Sequence, residues 1–415
     1  MLPVVVAGLL ILGGAAAYKM LESPPPAAAP VKAPEVTVAP TPTPPAVSAA
    51  KAPEEAAEAP AAPPAPAPVA APTPTPTPAR VARSEAGADS RQLMKGLTSL
   101  DTNGPISAED AQKWKANLQE LVRQGGSSVA AIQQYLAQNA DVNFAGLSGA
   151  DQLEYPSLRA GLLNALGQIG GPEATAAMLQ TLQTSVYPGD VATLAAILDQ
   201  QAPGEYDGQV LTAVRAQLAL AAQDQLNNAN VGPLFQLLAG AAAAGTDVTA
   251  DLTQYSSKWP YYAAIELANL PNGAGVSALA QLAQSDVGGN QMAAAQALAQ
   301  LASQNSQALN TLADMARQGQ LSDSTLAELA PYLAGRENQL GPADNPAGAS
   351  MQGLHMANGN QDFSVADLLN TLTPAQISQR ISAIDQLLQA IPGSDTQGQQ
   401  ALQQQKNALT GKQAK

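Results

Sequence analysis

The chain has 415 residues, 46% of them hydrophobic, and 33 acidic against 19 basic residues give it a formal net charge of -14. This balance excludes a nucleic-acid or anionic-membrane surface, because binding to phosphates needs clustered Lys and Arg. The absence of cysteine and the presence of a single histidine exclude disulfides, thiolate nucleophiles and the usual Cys- or His-based metal sites.

Residues 1–22 contain an apolar run from Leu2 to Tyr18. Its length is at the short end for a membrane-spanning helix and slightly long for a signal-peptide core. The segment is therefore predicted to be a transmembrane anchor or a signal segment, with membrane contact through residues 2–18. The uncleaved anchor is favoured, although Lys19 directly after the run gives only a weak orientation signal.

Residues 23–89 are rich in Pro, Ala and Thr, and nearly two-thirds of the 33 prolines lie before residue 80. Proline at this density removes amide donors and fixes φ, so the segment is predicted to be a disordered tether with extended polyproline II character. At full extension such a tether reaches on the order of 200 Å. A PxxP ligand for an aromatic groove is the alternative.

Residues 90–335 are rich in Ala, Leu and Gln, which favour helices, and aromatic residues make up only 3% of the chain. No β-strand is predicted. Residues 336–373 are expected to be irregular, with His355 in a solvated loop, and residues 374–415 to form C-terminal helices and a polar tail.

Within residues 90–335, helices closed by Gly, Pro, Asn or Asp are predicted at Ala108–Arg123, Val129–Gln138, Ser157–Ile169, Glu173–Thr184, Val191–Gln200, Gln209–Asp224, Pro233–Ala242, Tyr261–Leu270, Gly275–Gln284, Gln291–Ser303, Gln307–Arg317 and Ser324–Leu333.

A helical unit recurs within this region. The stretch Leu163–Ala174 reads Leu-Asn-Ala-Leu-Gly-Gln-Ile-Gly-Gly-Pro-Glu-Ala, and its layout returns at Ile265–Ala274 and again at Gln296–Ala302. Small residues let neighbouring helices approach closely, while the Leu and Ile positions form a core shared between repeats.

This layout resembles the phycobilisome-lyase type of HEAT repeat, an armadillo-type fold. Its first helix ends in a pattern like Ala-Leu-Gly-x-Ile-Gly before a second helix that begins near Pro-Glu-Ala. Residues Ala165–Ala174 match this pattern closely, whereas the later units lack the Gly-Gly-Pro junction. The resemblance implies an all-α fold, an α-solenoid of HEAT-like helix pairs, and partner binding rather than an activity.

The loop before the first predicted helix is similar to an eroded EF-hand. Asp101, Asn103 and Asp110 stand at spacings of calcium ligands, and Gly104 stands at the sharp turn. These three side chains are the candidate metal ligands. The alternative is a turn followed by a helix that Ser107 caps, with Asp110 reaching back to it.

Tyr255, Trp259, Tyr261 and Tyr262 form the densest aromatic group of the chain. They are the candidate partner-binding residues, because exposed Trp and Tyr contribute much of the energy at protein interfaces. Packing between repeats, with Trp259 stapling the start of a helix, is the alternative.

The sequence offers no catalytic constellation: it has neither a Gly-x-Ser-x-Gly elbow nor a phosphate loop, and no cofactor is expected. The function predicted is a membrane-tethered HEAT-repeat scaffold that binds a protein or peptide partner. Its helical part is expected in the periplasm or an equivalent extracytoplasmic compartment. A structural linker of the cell envelope and a bilin-lyase-like enzyme or enzyme subunit are the alternatives.

Overall fold

The computed structural model describes residues 87–285, 288–340, 350–356, 360–393 and 396–413. The predicted membrane segment and the tether up to residue 86 lie outside them. The described residues are mostly helical, which agrees with the all-α class. None of the helices among them has both the length and the hydropathy needed to cross a membrane.

Sixteen α-helices are present in the described part of the chain. They are α1 (Ala88–Thr98), α2 (Ala108–Gln124), α3 (Gly126–Leu136), α4 (Leu158–Ile169), α5 (Gly171–Thr184), α6 (Pro188–Gln201), α7 (Asp207–Ala222), α8 (Gly232–Ala243), α9 (Thr249–Gln254), α10 (Pro260–Asn269), α11 (Val276–Ala283), α12 (Gly288–Leu301), α13 (Ser306–Arg317), α14 (Asp323–Ala334), α15 (Pro374–Ala390) and α16 (Gln397–Gln413).

The helices predicted between residues 108 and 335 are confirmed, with ends that shift by a few residues. Local signals explain the agreement, because Ser157 accepts a hydrogen bond from the Ala160 N–H at the start of α4. At the other end of α4, Gly170 has a φ of 61°, which allows the chain to turn directly into α5. Helices α1 and α9 were not predicted.

The helices pack mainly on the next helix and on the one after it. Consecutive even-numbered helices from α2 to α16 contact one another, and we call this series the even row. The odd-numbered helices α1, α3, α5 and α7 form a second series, as do α11, α13 and α15. A continuous core rich in Leu and Ala lies between the even row and the odd-numbered helices.

A buried ion pair ties three helices together near the start of α4. Arg159, 1% exposed, donates from Nε and Nη2 to Oδ2 of Asp190 in α6, at 3.0 and 2.5 Å. Its Nη1 donates to the Leu136 carbonyl at the end of α3. Asp190 also accepts from the hydroxyl of Ser185 at 2.6 Å. Each charge is thus desolvated but hydrogen-bonded, the condition under which a buried ion pair is tolerated.

The segment 336–373 differs from the irregular structure expected. It contains a three-stranded antiparallel sheet in the order β1-β3-β2, formed by β1 (Arg336–Gln339), β2 (Ser350–Met356) and β3 (Gln361–Asp367). His355 lies in β2, with its Nδ1 2.7 Å from Oδ1 of Asp362 in β3. The short strands escaped prediction because β1 has no apolar residue and β2 has no β-branched residue.

Candidate partner-binding surface

The predicted metal ligands form a turn and a helix cap. Asp101 Oδ1 accepts hydrogen bonds from the backbone N–H and the Nδ2 of Asn103, at 2.9 and 3.0 Å, and these bonds lower the pKa of the Asp101 carboxyl. The hydroxyl of Ser107 accepts from the Asp110 N–H and donates to its carboxylate. Gly104 does not adopt the left-handed conformation of an EF-hand turn. The geometry matches the capping alternative, and calcium binding stays a prediction.

The aromatic group is a packed and mostly buried cluster, which matches the packing alternative, and partner binding by its residues stays a prediction. Tyr255, Trp259 and Tyr262 are 7%, 4% and 0% exposed. Trp259 and Tyr262 pack against Phe235 of α8 with ring centroids 6.0 and 5.6 Å apart. Their large apolar area makes burial between α8 and α10 the stable arrangement.

Tyr261, the fourth residue of the group, is half-buried and connects α10 to the sheet. Its ring stacks on Phe363 of β3 at a centroid distance of 5.0 Å and an interplanar angle of 16°. Beside it, Gln361 Oε1 accepts hydrogen bonds from the backbone N–H groups of Tyr261 and Tyr262. A strand residue therefore satisfies the free donors at the start of α10.

The hydroxyl of Tyr262 connects the loop before α8 to strand β3. It donates to Asn230 Oδ1 at 2.9 Å and accepts from the Asp362 N–H at 2.7 Å. Burial raises the pKa of Tyr262 to about 12, so the hydroxyl keeps the proton that it donates.

Strand β1, at one edge of the sheet, is held on α12 and α14 by hydrogen bonds of amide side chains. Asn338 of β1 donates from its backbone N–H to Gln300 and from its Nδ2 to Gln296, both on α12. Its Oδ1 accepts from the hydroxyl of Tyr332 on α14. The sheet therefore lies on one side of the even row, across α10, α12 and α14.

The repeat alignment shows which helix positions hold the sheet. Tyr261 and Ile265 on α10, and Gln296 and Gln300 on α12, contact it. In the repeat unit these positions correspond to Ala160, Asn164 and Gln168 on α4. Ala160 and Asn164 are half-buried and Gln168 is exposed, and α4 has no sheet contact among the principal packing pairs of the described residues.

Helices α6 and α8 continue the same exposed side of the even row. Each is flanked by even-row neighbours and packs on odd-numbered helices, so its remaining side faces solvent. Helix α8 has no charged residue, and the one exposed charged residue of α6, Asp199, lies at the edge of this side. We call it, together with the three α4 residues, the open repeat face, and it is formed by Ala160, Asn164, Gln168, Ala192, Thr193, Ala196, Gln200, Gln236, Leu237, Gly240 and Ala241.

An open cleft of about 460 Å³ lies elsewhere, along the loop before α4. It is lined by Phe144, Ala145, Gly146, Leu147, Ala150, Asp151, Glu154, Tyr155 and Pro156. Its two carboxylates are exposed, and Glu154 pairs with Lys115 at 3.0 Å. Burial raises the pKa of the Tyr155 hydroxyl. Two exposed carboxylates, one of them ion-paired, are typical of a solvated loop rather than of an acid-base pair.

One buried carboxylate occupies a repeat position that is otherwise small. Glu266 on α10 aligns with Ala165 on α4 and Ala297 on α12, and all three are buried. Desolvation raises the pKa of Glu266 to about 7, and the hydrogen bond from Asn269 opposes that rise. Burial therefore favours the protonated form of Glu266.

Gln361, Asn338, Gln296 and Gln300 were not foreseen as contact residues. Their importance comes from partners 38 to 100 positions away, which no local pattern reveals. Comparison of the chain with protein-family models, with curated proteins and with solved structures gave no match.

Proposed function

We propose that this chain is a non-enzymatic scaffold whose helices form an α-solenoid of HEAT-like pairs and bind a protein partner on the open repeat face. The order of helix contacts supports the solenoid, because each helix packs on its nearest neighbours along the chain. The conformity of α4, α10 and α12 to one repeat pattern supports it as well.

The observation that carries the proposal is the contrast between covered and open repeat positions. On α10 and α12 these positions bind the sheet through ring stacking and amide hydrogen bonds. On α4 the equivalent positions are half-buried or exposed, and α6 and α8 extend them as a surface of Ala, Gly, Asn, Gln and Leu. Such a surface recognises its partner by shape and hydrogen bonding, since it has no charge of its own.

The proposal places this body outside a membrane, held by residues 1–22 as an anchor and by residues 23–89 as a tether. The order of the segments supports it: an apolar run, a proline-rich spacer and then the helices. Reporter fusions after Lys415, one active only in the cytoplasm and one active only outside it, test the location. Activity of the cytoplasmic reporter alone would reverse the topology.

Site-specific crosslinking in the full-length chain tests the binding face. A photoreactive residue replaces Ala196, which is exposed on α6, and in a second chain it replaces Ala176, which is exposed on α5. We expect a specific crosslinked partner at position 196 that is absent at position 176. Equal yields at the two positions, or a partner at position 176 alone, would overturn the assignment of the face.

A further inference from the structure

Two amide side chains, four residues apart, recur at equivalent repeat positions of α4 and α12. They are Asn164 and Gln168 on α4, and Gln296 and Gln300 on α12. Residues with this spacing lie on the same side of a helix. In both helices that side is the one that the sheet covers on α12 and that stays open on α4.

On α12 the amide pair binds extended chain. Gln300 Oε1 accepts the backbone N–H of Asn338 in β1 at 3.1 Å, and Gln296 Oε1 accepts from Nδ2 of the same residue at 3.2 Å. Gln296 is 7% exposed under this contact. Strand β1 contacts α14 as well, so it passes from one helix of the even row to the next. The protein therefore contains one occupied example of such a pair.

On α4 the amide pair is held by side chains instead of a strand. Gln168 Nε2 donates to Asn164 Oδ1 at 2.6 Å, and the hydroxyl of Tyr155 donates to the same oxygen at 3.1 Å. These bonds orient both amides and leave Gln168 Oε1 as an acceptor and Asn164 Nδ2 as a donor. Gln168 is exposed and Asn164 is half-buried, so another molecule can reach both groups.

An acceptor beside a donor matches the backbone of an extended chain. In a strand the N–H and C=O of one residue point to the same side, where they form a pair of bonds with one neighbour. A helix does not match, because the N–H and C=O groups in its interior are already bonded within the helix. The pair therefore favours an extended segment over a helix of a partner.

We propose that Gln168 and Asn164 bind one residue of an extended segment of the partner protein, with Gln168 accepting its backbone N–H and Asn164 donating to its backbone carbonyl. The inference rests on the proposed function, since the segment belongs to the partner that the open repeat face binds. The seating of β1 on the equivalent residues of α12 supports it, because the same side of the row already holds extended chain there.

The amides continue along the row from α4. Aligned on their buried leucines, α6 places Gln200 at the Gln168 position and α8 places Gln236 at the Asn164 position. The Ala and Gly residues between them allow a backbone to approach closely. Neighbouring helices lie about 9 Å apart and a strand rises about 3.3 Å per residue, so about six residues of the segment cross α4, α6 and α8.

The test uses the full-length chain and a fluorescent peptide with the sequence of residues 335–340, which contains β1. We expect saturable binding by fluorescence anisotropy. Gln168→Leu should weaken it about fivefold or more through the loss of one hydrogen bond. The matched control Gln183→Leu, at an exposed glutamine of α5, should leave binding unchanged. Both substitutions lie at exposed positions, so both variants should keep the wild-type melting transition.

A second peptide, N-methylated at the residue that corresponds to Asn338, lacks the N–H that Gln168 accepts. It should bind the wild-type chain about fivefold or more weakly. Combined with Gln168→Leu, it should lose little more, because the two changes remove the same hydrogen bond.

No saturable binding, equal binding by the Gln168→Leu and Gln183→Leu chains, or additive losses from Gln168→Leu and N-methylation would each overturn the inference. A crosslinked partner at position 196 whose yield Gln168→Leu leaves unchanged would overturn it while the proposed function stands. Absence of that crosslink in the chain that retains Gln168 would overturn the proposed function itself.

Discussion

The side chain of Gln361 accepts a hydrogen bond from the backbone N–H of Tyr262 at 3.1 Å, although the two residues lie 99 positions apart. Trp259 stands at the N-cap position of α10 and makes no side-chain capping bond. The first N–H groups of the helix need an acceptor, and a strand provides it. The sheet therefore stabilises the helical body, and it also borders the open repeat face.

Replacement of Gln361 by Leu should lower the free energy of unfolding by about 2 to 3 kcal/mol, because two buried N–H groups lose their acceptor. Urea unfolding followed by circular dichroism measures the change. The control is Gln404→Leu, at an exposed position of α16. Similar midpoints for both variants would show that the cap contributes little.

Removal of the buried guanidinium in Arg159→Met should cost about 3 to 5 kcal/mol, since Asp190 is left as an uncompensated buried charge. The double variant Arg159→Met, Asp190→Leu should recover part of this loss. Thermal unfolding measures the stability of the two variants. The control is Arg123→Met, which removes one partner of the exposed ion pair with Glu120. A double variant less stable than the single one would contradict this account.

The helices could be predicted because their signals are local. Ser107 and Ser157 cap helices that begin at the next residue, and Leu166 lies on the buried face that the repeat pattern indicates. The sheet could not be predicted, because its strands are stabilised by residues such as Gln296 that lie far away in the sequence. The choice between packing and binding for the aromatic group was open for a related reason: a sequence shows that Trp259 is large and apolar, but not that Phe235 packs against it.

Close packing between α4 and α6 depends on Gly167. A Cβ at this position would lie 2.8 Å from Cγ2 of Ile197, which is too close for a β-branched side chain to accommodate without movement. Gly167→Ala should therefore destabilise the protein by about 1 to 3 kcal/mol, despite the better helix propensity of Ala. Denaturant midpoints measure the effect.

The matched control for Gly167→Ala is Gly240→Ala on α8, where the added Cβ meets no atom within 4 Å. It should stabilise the protein by up to about 1 kcal/mol through helix propensity. Adding Ile197→Ala to Gly167→Ala should relieve the clash, so that the two substitutions are less than additive in cost. Additive costs would contradict direct contact between these positions.

Stability should fall as pH rises through neutrality because of Glu266. Its pKa is raised from the ordinary 4.5 to about 7 in the folded chain, so the folded state holds a proton that the unfolded state releases at lower pH. Between these two values the folded state binds more protons, and each unit of pH increase therefore removes stability. The penalty approaches about 3 kcal/mol above pH 8 and is largely absent below pH 4.5.

Glu266→Gln removes this titration while keeping the size and hydrogen-bonding capacity of the side chain. The stability of the variant relative to the wild type should increase by about 2 to 3 kcal/mol between pH 5 and pH 8. Urea midpoints at a series of pH values measure it. Glu328→Gln, at an exposed position of α14, should retain the wild-type pH dependence. A constant difference between Glu266→Gln and the wild type over this range would mean that Glu266 ionises in the folded chain as it does in the unfolded one.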